Sequence, residues 1–455
     1  MNSNIFGTDG VRGRANEGYI TPDKVTTLAV AVINHYNATN HISVNNKFTV
    51  VIGKDTRLSG YMLEPALTAG FISAGADVTL LGPIPTHGVA FVTRSLRADL
   101  GVVISASHNP FQDNGIKLFG PHGFKISPDE EIKISNKFHE ISRADTLQDY
   151  LVTPGDMGKA RRLSDAAGRY IETVKCSFPK NLSLSGVKIA VDAANGAAYR
   201  IAPQVFWELG ADIVKIGCDP NGSNINHNRG AIETNALQKA VIKAGADIGI
   251  ALDGDADRVV IVDDLGNLID GDYIIAAIAT DWLETERLST NKVVATYMSN
   301  LGLEEYLRKI GLELIRSDVG DKHVLDQMLK IGCNLGGEKS GHVIPLDYAT
   351  TGDGLISAMQ VLAYLKRRGL KASQLMDLYR PYPQILRNIR KQIDLTDTKF
   401  QSFVRDIEHN TLNQRGRIIV RKSGTEYMTR IMIEAERPTD IDTAIVQVEK
   451  FFSQM

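Results

Sequence analysis

The sequence predicts three related α/β domains followed by a smaller C-terminal α+β domain. Three observations carry this. One strand–helix–strand pattern occurs three times, the residues after about 372 abandon it, and the length of 455 gives roughly three domains or more at about 150 residues each. Hydrophobic residues at 43%, with 40 Gly and 15 Pro, match a globular chain rather than a fibrous or disordered one.

The first pattern runs from FTVVIGKDTR (48–57) through a helix-length stretch to GADVTLLG (75–82). The second runs from VKIAVDAANG (187–196) to GADIVKIG (210–217), and the third from KVVATYMSN (292–300) to GLELIRSD (311–318). A β-branched run, helical periodicity and a Gly-led second run are what a βαβ unit with parallel strands requires. One large sheet would also contain such units. The wide separation of the Gly-led runs, at 75, 210 and 311, favours one unit per domain. The expected divisions are 1–155, 156–258, 259–371 and 372–455. In the last, a helix-like FQSFVRDIEHNTL (400–412) precedes two strand-like runs, GRIIVRKSG and TRIMIEAE, and an amphipathic end. Strand pairs flanked by helices are an α+β arrangement.

Composition excludes several roles. With 51 Lys+Arg against 53 Asp+Glu the net charge is −2, so no global basic face exists for nucleic acid or anionic lipid. The longest apolar run, residues 273–279, is far short of a bilayer span. The start, MNSNIFGTDGVRGRAN, lacks the apolar core of a signal peptide. Cys176, Cys218 and Cys333 form no CxxC pair and suggest no disulfide framework. A soluble, cytoplasmic protein is the expectation, with no nucleic-acid or membrane partner.

The sharpest chemical signal is Asp253-Gly-Asp255-Ala-Asp257-Arg258, between the strand-like IGIAL and VVIVDD. Three carboxylates spaced two apart converge only against mutual repulsion, which a hard divalent cation relieves; oxygen-only ligands favour Mg²⁺ or Ca²⁺ over zinc. A calcium EF-hand needs Gly at position six and Glu at twelve between helices, whereas Arg258 and Asp264 stand there between strands. A solvated acidic turn is the plainer alternative.

The second signal, Ser105-Ala106-Ser107-His108-Asn109-Pro110, ends the apolar run LGVVI, with Asn114-Gly-Ile-Lys117 soon after. The C-terminal end of a strand is where α/β folds place ligands. The context is not GxSxG, so an acyl-hydrolase elbow is disfavoured. His108 and Lys117 could steady a phosphoryl group on Ser107, although SxSHNP alone also reads as a capped turn. A third stretch, Gly336-Gly-Glu338-Lys-Ser340-Gly-His342, suits sugar hydroxyls, but a lone His is more often structural. The fourth, Arg421-Lys-Ser423-Gly424-Thr425-Glu426 with Arg430 beyond, offers forked donors and backbone N–H groups for a phosphate. It is not a Walker A loop, and a basic surface hairpin is the alternative. Phe6-Gly-Thr-Asp-Gly10-Val-Arg12-Gly alone reads as a turn.

FGTDGVRG, SASHNP, DGDADR, GEKSGH and RKSGTE, in that order, resemble the motifs of the α-D-phosphohexomutase superfamily along the whole chain. IFGTDGVRGRAN, GSNINHNRGA (222–231) and RKSGTE are most similar to its glucosamine-phosphate branch. The resemblance implies four domains around a central cleft, and interconversion of glucosamine 6-phosphate and glucosamine 1-phosphate through glucosamine 1,6-bisphosphate, a step toward UDP-N-acetylglucosamine. It implies a catalytic phosphate on Ser107 and one Mg²⁺ per subunit, held by that phosphate with Asp253, Asp255 and Asp257. Arg12, His108, Lys117 and His342 match positions near the transferred phosphate or in proton handling. Glu338 and Ser340 match sugar-hydroxyl contacts, Arg258 is a further substrate-binding candidate, and Arg421, Ser423, Gly424, Thr425 and Arg430 match the distal phosphate site. The superfamily often forms dimers through its first domain; no motif here decides that.

Two departures stand out. Tyr427 follows Glu426 where the superfamily commonly has Pro, and Asp318 lies where many relatives carry Lys. The rival readings are the same fold acting on glucose or mannose phosphates, a phosphatase whose phosphoserine leaks to water, and a silent sugar-phosphate binder.

Overall fold

Each recurrent pattern folds into two parallel strands joined by a helix. In the computed structural model, which describes residues 4–38, 47–144, 146–422 and 427–454, Thr49–Lys54 and Asp77–Pro83 pair around the helix Gly60–Ser73. Lys188–Asp192 and Asp212–Ile216 pair around Ile201–Glu208, and Lys292–Thr296 and Glu313–Ser317 around Leu301–Lys309. The first strand of each pair is a short apolar run buried on both faces, as a covered parallel sheet demands. The glycine opening each return, Gly75, Gly210 and Gly311, has φ of +99°, +98° and +86°. Side chains resist that left-handed region, so glycine ends the helix there.

The first sheet has six strands, in the order Val11–Arg14, Asp113–Phe119, Leu100–Ile104, Thr49–Lys54, Asp77–Pro83 and Ala160–Arg162. The second runs Leu268–Ile269, Val259–Val262, Ile248–Leu252, Lys188–Asp192, Asp212–Ile216. The third holds Glu313–Ser317, Lys292–Thr296, Leu335–Gly337 and Val343–Pro345. Two expected divisions therefore fall within sheets. Residues 160–162 extend the first sheet past 155, and the antiparallel hairpin of Ile248–Leu252 with Val259–Val262 straddles 258.

The fourth sheet is antiparallel: Gln384–Ile389, Thr429–Ala435 and Gly416–Lys422 in that order, with the helix Pro438–Ser453 against it. Gln384–Ile389 escapes the sequence reading because it is a largely exposed edge strand without apolar alternation. The helix expected over 400–412 is α-helical only over Thr398–Asp406 and continues in wider π-type turns over Ile407–Thr411. No helix among the described residues is long and apolar enough to cross a membrane.

One core spans the first three units. The helices Thr86–Ser95, Ala166–Cys176 and Gly354–Arg368 meet in it, and Ala372, Leu375 and Tyr379 complete it. The fourth unit has its own core, from Ile393 to Phe452. It joins the rest through polar bonds around Asn300: Asn300 exchanges hydrogen bonds with the backbone of Tyr382 at 3.0 and 2.8 Å, Leu301 N donates to Glu434, and Arg417 donates to Ser299 O. The expected start of the last domain at 372 thus removes residues that belong to the shared core. A chain ending after Pro383 should keep its urea midpoint for the first three units. One ending at Lys371 should lose roughly 2–5 kcal/mol through Leu375 and Tyr379; equal midpoints would contradict this division.

Candidate functional site

Ser107 follows the strand Leu100–Ile104 and is held in a left-handed conformation, φ +50°. That costs a non-glycine residue about 1–2 kcal/mol, so its surroundings must impose it. Arg57 does most of this. Its guanidinium is 1% exposed, pairs with Asp55 at 2.8 Å, and donates to the carbonyls of Ser107 (2.8 Å), Asn109 (2.9 Å), Asp113 (3.1 Å) and Pro110. Asn226 donates to the same Ser107 and Asn109 oxygens at 2.8 and 3.0 Å. Ser107 N donates to Ser105 Oγ at 2.9 Å, and Ser105 in turn to Asp55.

So held, Ser107 Oγ points across the unit boundary and donates to Asp253 Oδ2 at 2.6 Å. The two loops touch. A Cβ at position 254 would lie 2.5 Å from Ser107 O, so only glycine fits there. Oxygen atoms of Asp253, Asp255 and Asp257 lie within 4.8 Å of one another, all three residues buried. Asp255 Oδ2 accepts from Thr86 Oγ1 (2.7 Å) and Lys117 Nζ (3.0 Å), while its Oδ1 is buried without a hydrogen-bond partner among the described residues. Burial, then the neighbouring Asp257 and Asp255, push the Asp253 carboxyl well above the usual range. Burial also opposes the charge on Asp257, but Lys117 and His342 outweigh it and hold that carboxyl well below its ordinary value. Asp257 Oδ1 is likewise buried without a hydrogen-bond partner among the described residues, and hard oxygen donors, two of them unpaired, fit a divalent cation.

Lys117, 2% exposed, stands on the strand paired with that of Ser107 and faces Asp255 and Asp9 at 3.0 Å and Asp257 at 3.4 Å. Burial works against its ammonium, yet Asp255, Asp9 and Asp257 raise its pKa well above the ordinary lysine value. His108 Nδ1 is 3.3 Å from Ser107 Oγ. Burial, with Arg258 and Arg12 nearby, pulls its pKa down to about 4, so the ring is neutral near pH 7. Arg12 binds the Asp9 carboxylate and reaches Ala106 O at 3.5 Å. From the third unit, His342 Nδ1 lies 3.7 Å from Asp257, and Glu338 accepts from Gly320 N at 3.0 Å.

These groups line a cavity of about 320 Å³ where the first three units meet: Arg12 and His108 from the first, Asp257 and Arg258 from the second, Glu338 and His342 from the third. A larger depression, about 820 Å³, lies around Tyr199 and Trp207 on the second unit and holds no comparable cluster of acids and bases. Ser340 is exposed rather than in the cavity lining. Arg421 and Arg430 sit directly opposite each other on paired strands of the fourth unit, which brings two guanidinium groups to one place on that sheet. Ser423, Gly424 and Thr425 lie outside the described residues. Asp318 is exposed, and Asp321 of the same loop is the acid that lines the cavity.

Sequence reasoning missed Asp9, Arg57, Thr86, Lys125, Asn226 and Asp321. Arg57 and Thr86 follow strand ends, where ligand-side residues collect, and that position was the available signal. Asn226 and Asp9 lie within quoted motifs but carry no chemistry until neighbours are known.

The chain matches four family models in order: phosphoglucomutase/phosphomannomutase α/β/α domain I over residues 3–145, domain II over 168–266, domain III over 270–382 and the C-terminal domain over 390–449. A protein named phosphoglucosamine mutase from Paramagnetospirillum magneticum is 51% identical over 441 residues, covering 96% of this chain and 95% of its own. One of the same name from Granulibacter bethesdensis is 52% identical over 439 residues, covering 96% and 94%. Among solved structures, a phosphoglucomutase/phosphomannomutase family protein from Burkholderia thailandensis superposes with TM-score 0.81 at 23% identity, covering 99% and 97%. An Aspergillus fumigatus N-acetylphosphoglucosamine mutase, solved with GlcNAc-6P and magnesium, gives 0.67 at 18%, covering 97% and 94%.

Thr86 orients a carboxylate whose other oxygen is open, the arrangement by which an outer hydrogen bond sets metal affinity. Thr86→Val should weaken divalent-cation binding about 10- to 100-fold by calorimetry. Unchanged affinity would show that Asp255 needs no such support.

Proposed function

The chain belongs to the phosphoglucomutase/phosphomannomutase family, and we propose that it interconverts glucosamine 6-phosphate and glucosamine 1-phosphate through a phosphoserine at Ser107. The observation that carries this is the strained Ser107 hydroxyl bonded to Asp253 inside a buried triad of carboxylates. The amino-sugar substrate rests on relatives about half identical over nearly the whole chain that bear the name phosphoglucosamine mutase.

Phosphoryl transfer needs alignment and charge neutralisation more than covalent participation by the protein. The substrate hydroxyl attacks phosphorus, the P–Oγ bond breaks, and Ser107 Oγ leaves with the electron pair. The resulting glucosamine 1,6-bisphosphate turns end over end and returns its other phosphoryl group to Ser107. Mg²⁺, one per chain, would be held by Asp253, Asp255, Asp257 and a phosphoryl oxygen, and when bound supplies a Lewis acid for the charge on the transferred group.

The protein's own groups do the rest. Arg57 and Asn226 fix Oγ through the backbone. Lys117, pinned as an ammonium, offsets the carboxylates, while Arg12 and Arg258 present guanidinium groups at the cavity wall. Neutral His108 lies within hydrogen-bond reach of Oγ, and His342 faces the cavity from the third unit as a proton-handling group. Glu338 takes the sugar hydroxyls. Arg421 and Arg430 grip the phosphate that is not reacting, which lets one site accept either end of the molecule.

Ser107→Ala should abolish turnover while leaving the fold intact, because no other covalent acceptor is proposed. Near-normal activity in that variant would sink the phosphoenzyme. In kinetics with purified protein, glucosamine 6-phosphate should exceed glucose 6-phosphate in kcat/KM; the reverse order would move the chain to another branch. Arg421→Ala should lower kcat/KM by roughly tenfold to over a hundredfold, the loss of one charge-assisted contact of about 1.5–3 kcal/mol. A fall in stability without a kinetic effect would make the pair a structural feature only.

A further inference from the structure

Lys125 belongs to none of the motifs, yet it is the cation on which the cleft's charges close. It lies between the strand Asp113–Phe119 and the helix Pro128–Arg143 of the first unit, with its side chain 15% exposed. Its Nζ is 2.6 Å from Asp9 Oδ1 and 2.5 Å from Asp321 Oδ2, so it joins the first unit to the third. Both partners lead onward. Asp9 Oδ2 is 3.0 Å from Lys117 Nζ, and Asp321 Oδ2 is 3.7 Å from His342 Nε2, a nitrogen that accepts from Gly352 N at 3.1 Å, so Asp321 acts on the ring through its charge rather than through a hydrogen bond. His342 Nδ1 then faces Asp257 Oδ1 at 3.7 Å, and Asp257 Oδ2 faces Lys117 at 3.4 Å. Lys117, Asp257, His342, Asp321, Lys125 and Asp9 thus form a closed circuit in which basic and acidic groups alternate. All three units contribute to it.

We infer that Lys125, with Asp321, is a positioning residue for the mutase reaction: it draws the loop of Asp321 onto the first unit and thereby sets the His342 ring against Asp257 and Lys117. The inference rests on the mutase reading above. A second pair, Lys322 with Glu131 at 3.2 Å, runs between the same two units but touches neither Asp9 nor His342 at ion-pair distance among the described residues. It holds the units together without entering the circuit. Without Lys125, Asp9 keeps Arg12 and Lys117, but Asp321 loses the ammonium that ties its loop to the first unit. The loss would then fall on the placing of His342 rather than on Ser107 or the metal carboxylates.

The test is a double-mutant cycle in the full-length enzyme, which isolates the coupling between two residues. Lys125→Met should lower kcat at least tenfold, leave Mg²⁺ affinity within twofold and leave the phosphoserine content unchanged. Lys125→Arg, which keeps the charge and reach, should recover most of the loss. In a His342→Ala background the same Lys125→Met change should cost less than threefold further. Should Lys125→Met fail to fold, Asp321→Asn, which keeps the shape and the Lys125–Asp9 bond, takes its place in the cycle with the same expectations. Wild-type-like kcat in the single variant, or equal losses with and without His342, would overturn the inference. If the unaltered enzyme fails to convert glucosamine phosphates, the functional reading falls instead.

Discussion

Three carboxylates buried side by side are the constraint from which the cleft is built. Unit charges 4 Å apart repel by about 4 kcal/mol at an effective dielectric of 20, and Asp253, Asp255 and Asp257 lie in that range of one another. Nothing in an apolar interior tolerates this alone. Lys117 supplies buried positive charge, Thr86 a neutral donor, and the oxygen left open on Asp255 a place for a cation. The same triad sets the position of Ser107, whose hydroxyl fills Asp253. The strained serine and the acidic loop are therefore one structure assembled from two units. Arg57 lets it persist by satisfying four carbonyls around the serine at once.

The fold divides the work between rigid and separable parts. The first three units share one core, so the groups around Ser107, the acidic loop and His342 are fixed by common packing. The fourth unit has its own core and docks through a few polar bonds near Asn300 and Glu434. A unit joined in this way can move as a body at little cost in buried surface. On the proposed reading the substrate turns over within the site, and such a substrate needs one rigid reacting end and one grip that can release it. The Arg421–Arg430 pair sits on the separable part, which fits that need.

Much of this was legible in the sequence because it rests on local rules. The βαβ units announced themselves through apolar runs and Gly-led returns, and the acidic triplet between strand-like runs stood out as a candidate cation site, with a solvated turn as the alternative. What escaped was set by long-range geometry. Arg57 looks like a surface arginine until the serine loop folds over it, and Lys125 looks like any helix-flanking lysine until Asp9 and Asp321 close on it. The hairpin of Val259–Val262 was placed with the wrong domain because periodicity shows that a strand exists, not which sheet it joins. Gln384–Ile389 was missed for a related reason: an exposed edge strand carries little hydrophobic pattern.

The central claim is that the phosphoryl group on Ser107 passes to the sugar and back without reaching water. A single-turnover experiment tests this most directly: enzyme carrying a labelled phosphate on Ser107 is mixed with excess unlabelled glucosamine 6-phosphate. The label should leave the protein within one turnover and appear first in glucosamine 1,6-bisphosphate, then in glucosamine monophosphate, with the enzyme still phosphorylated. Label recovered as inorganic phosphate, or retained on the protein while product accumulates, would contradict the account.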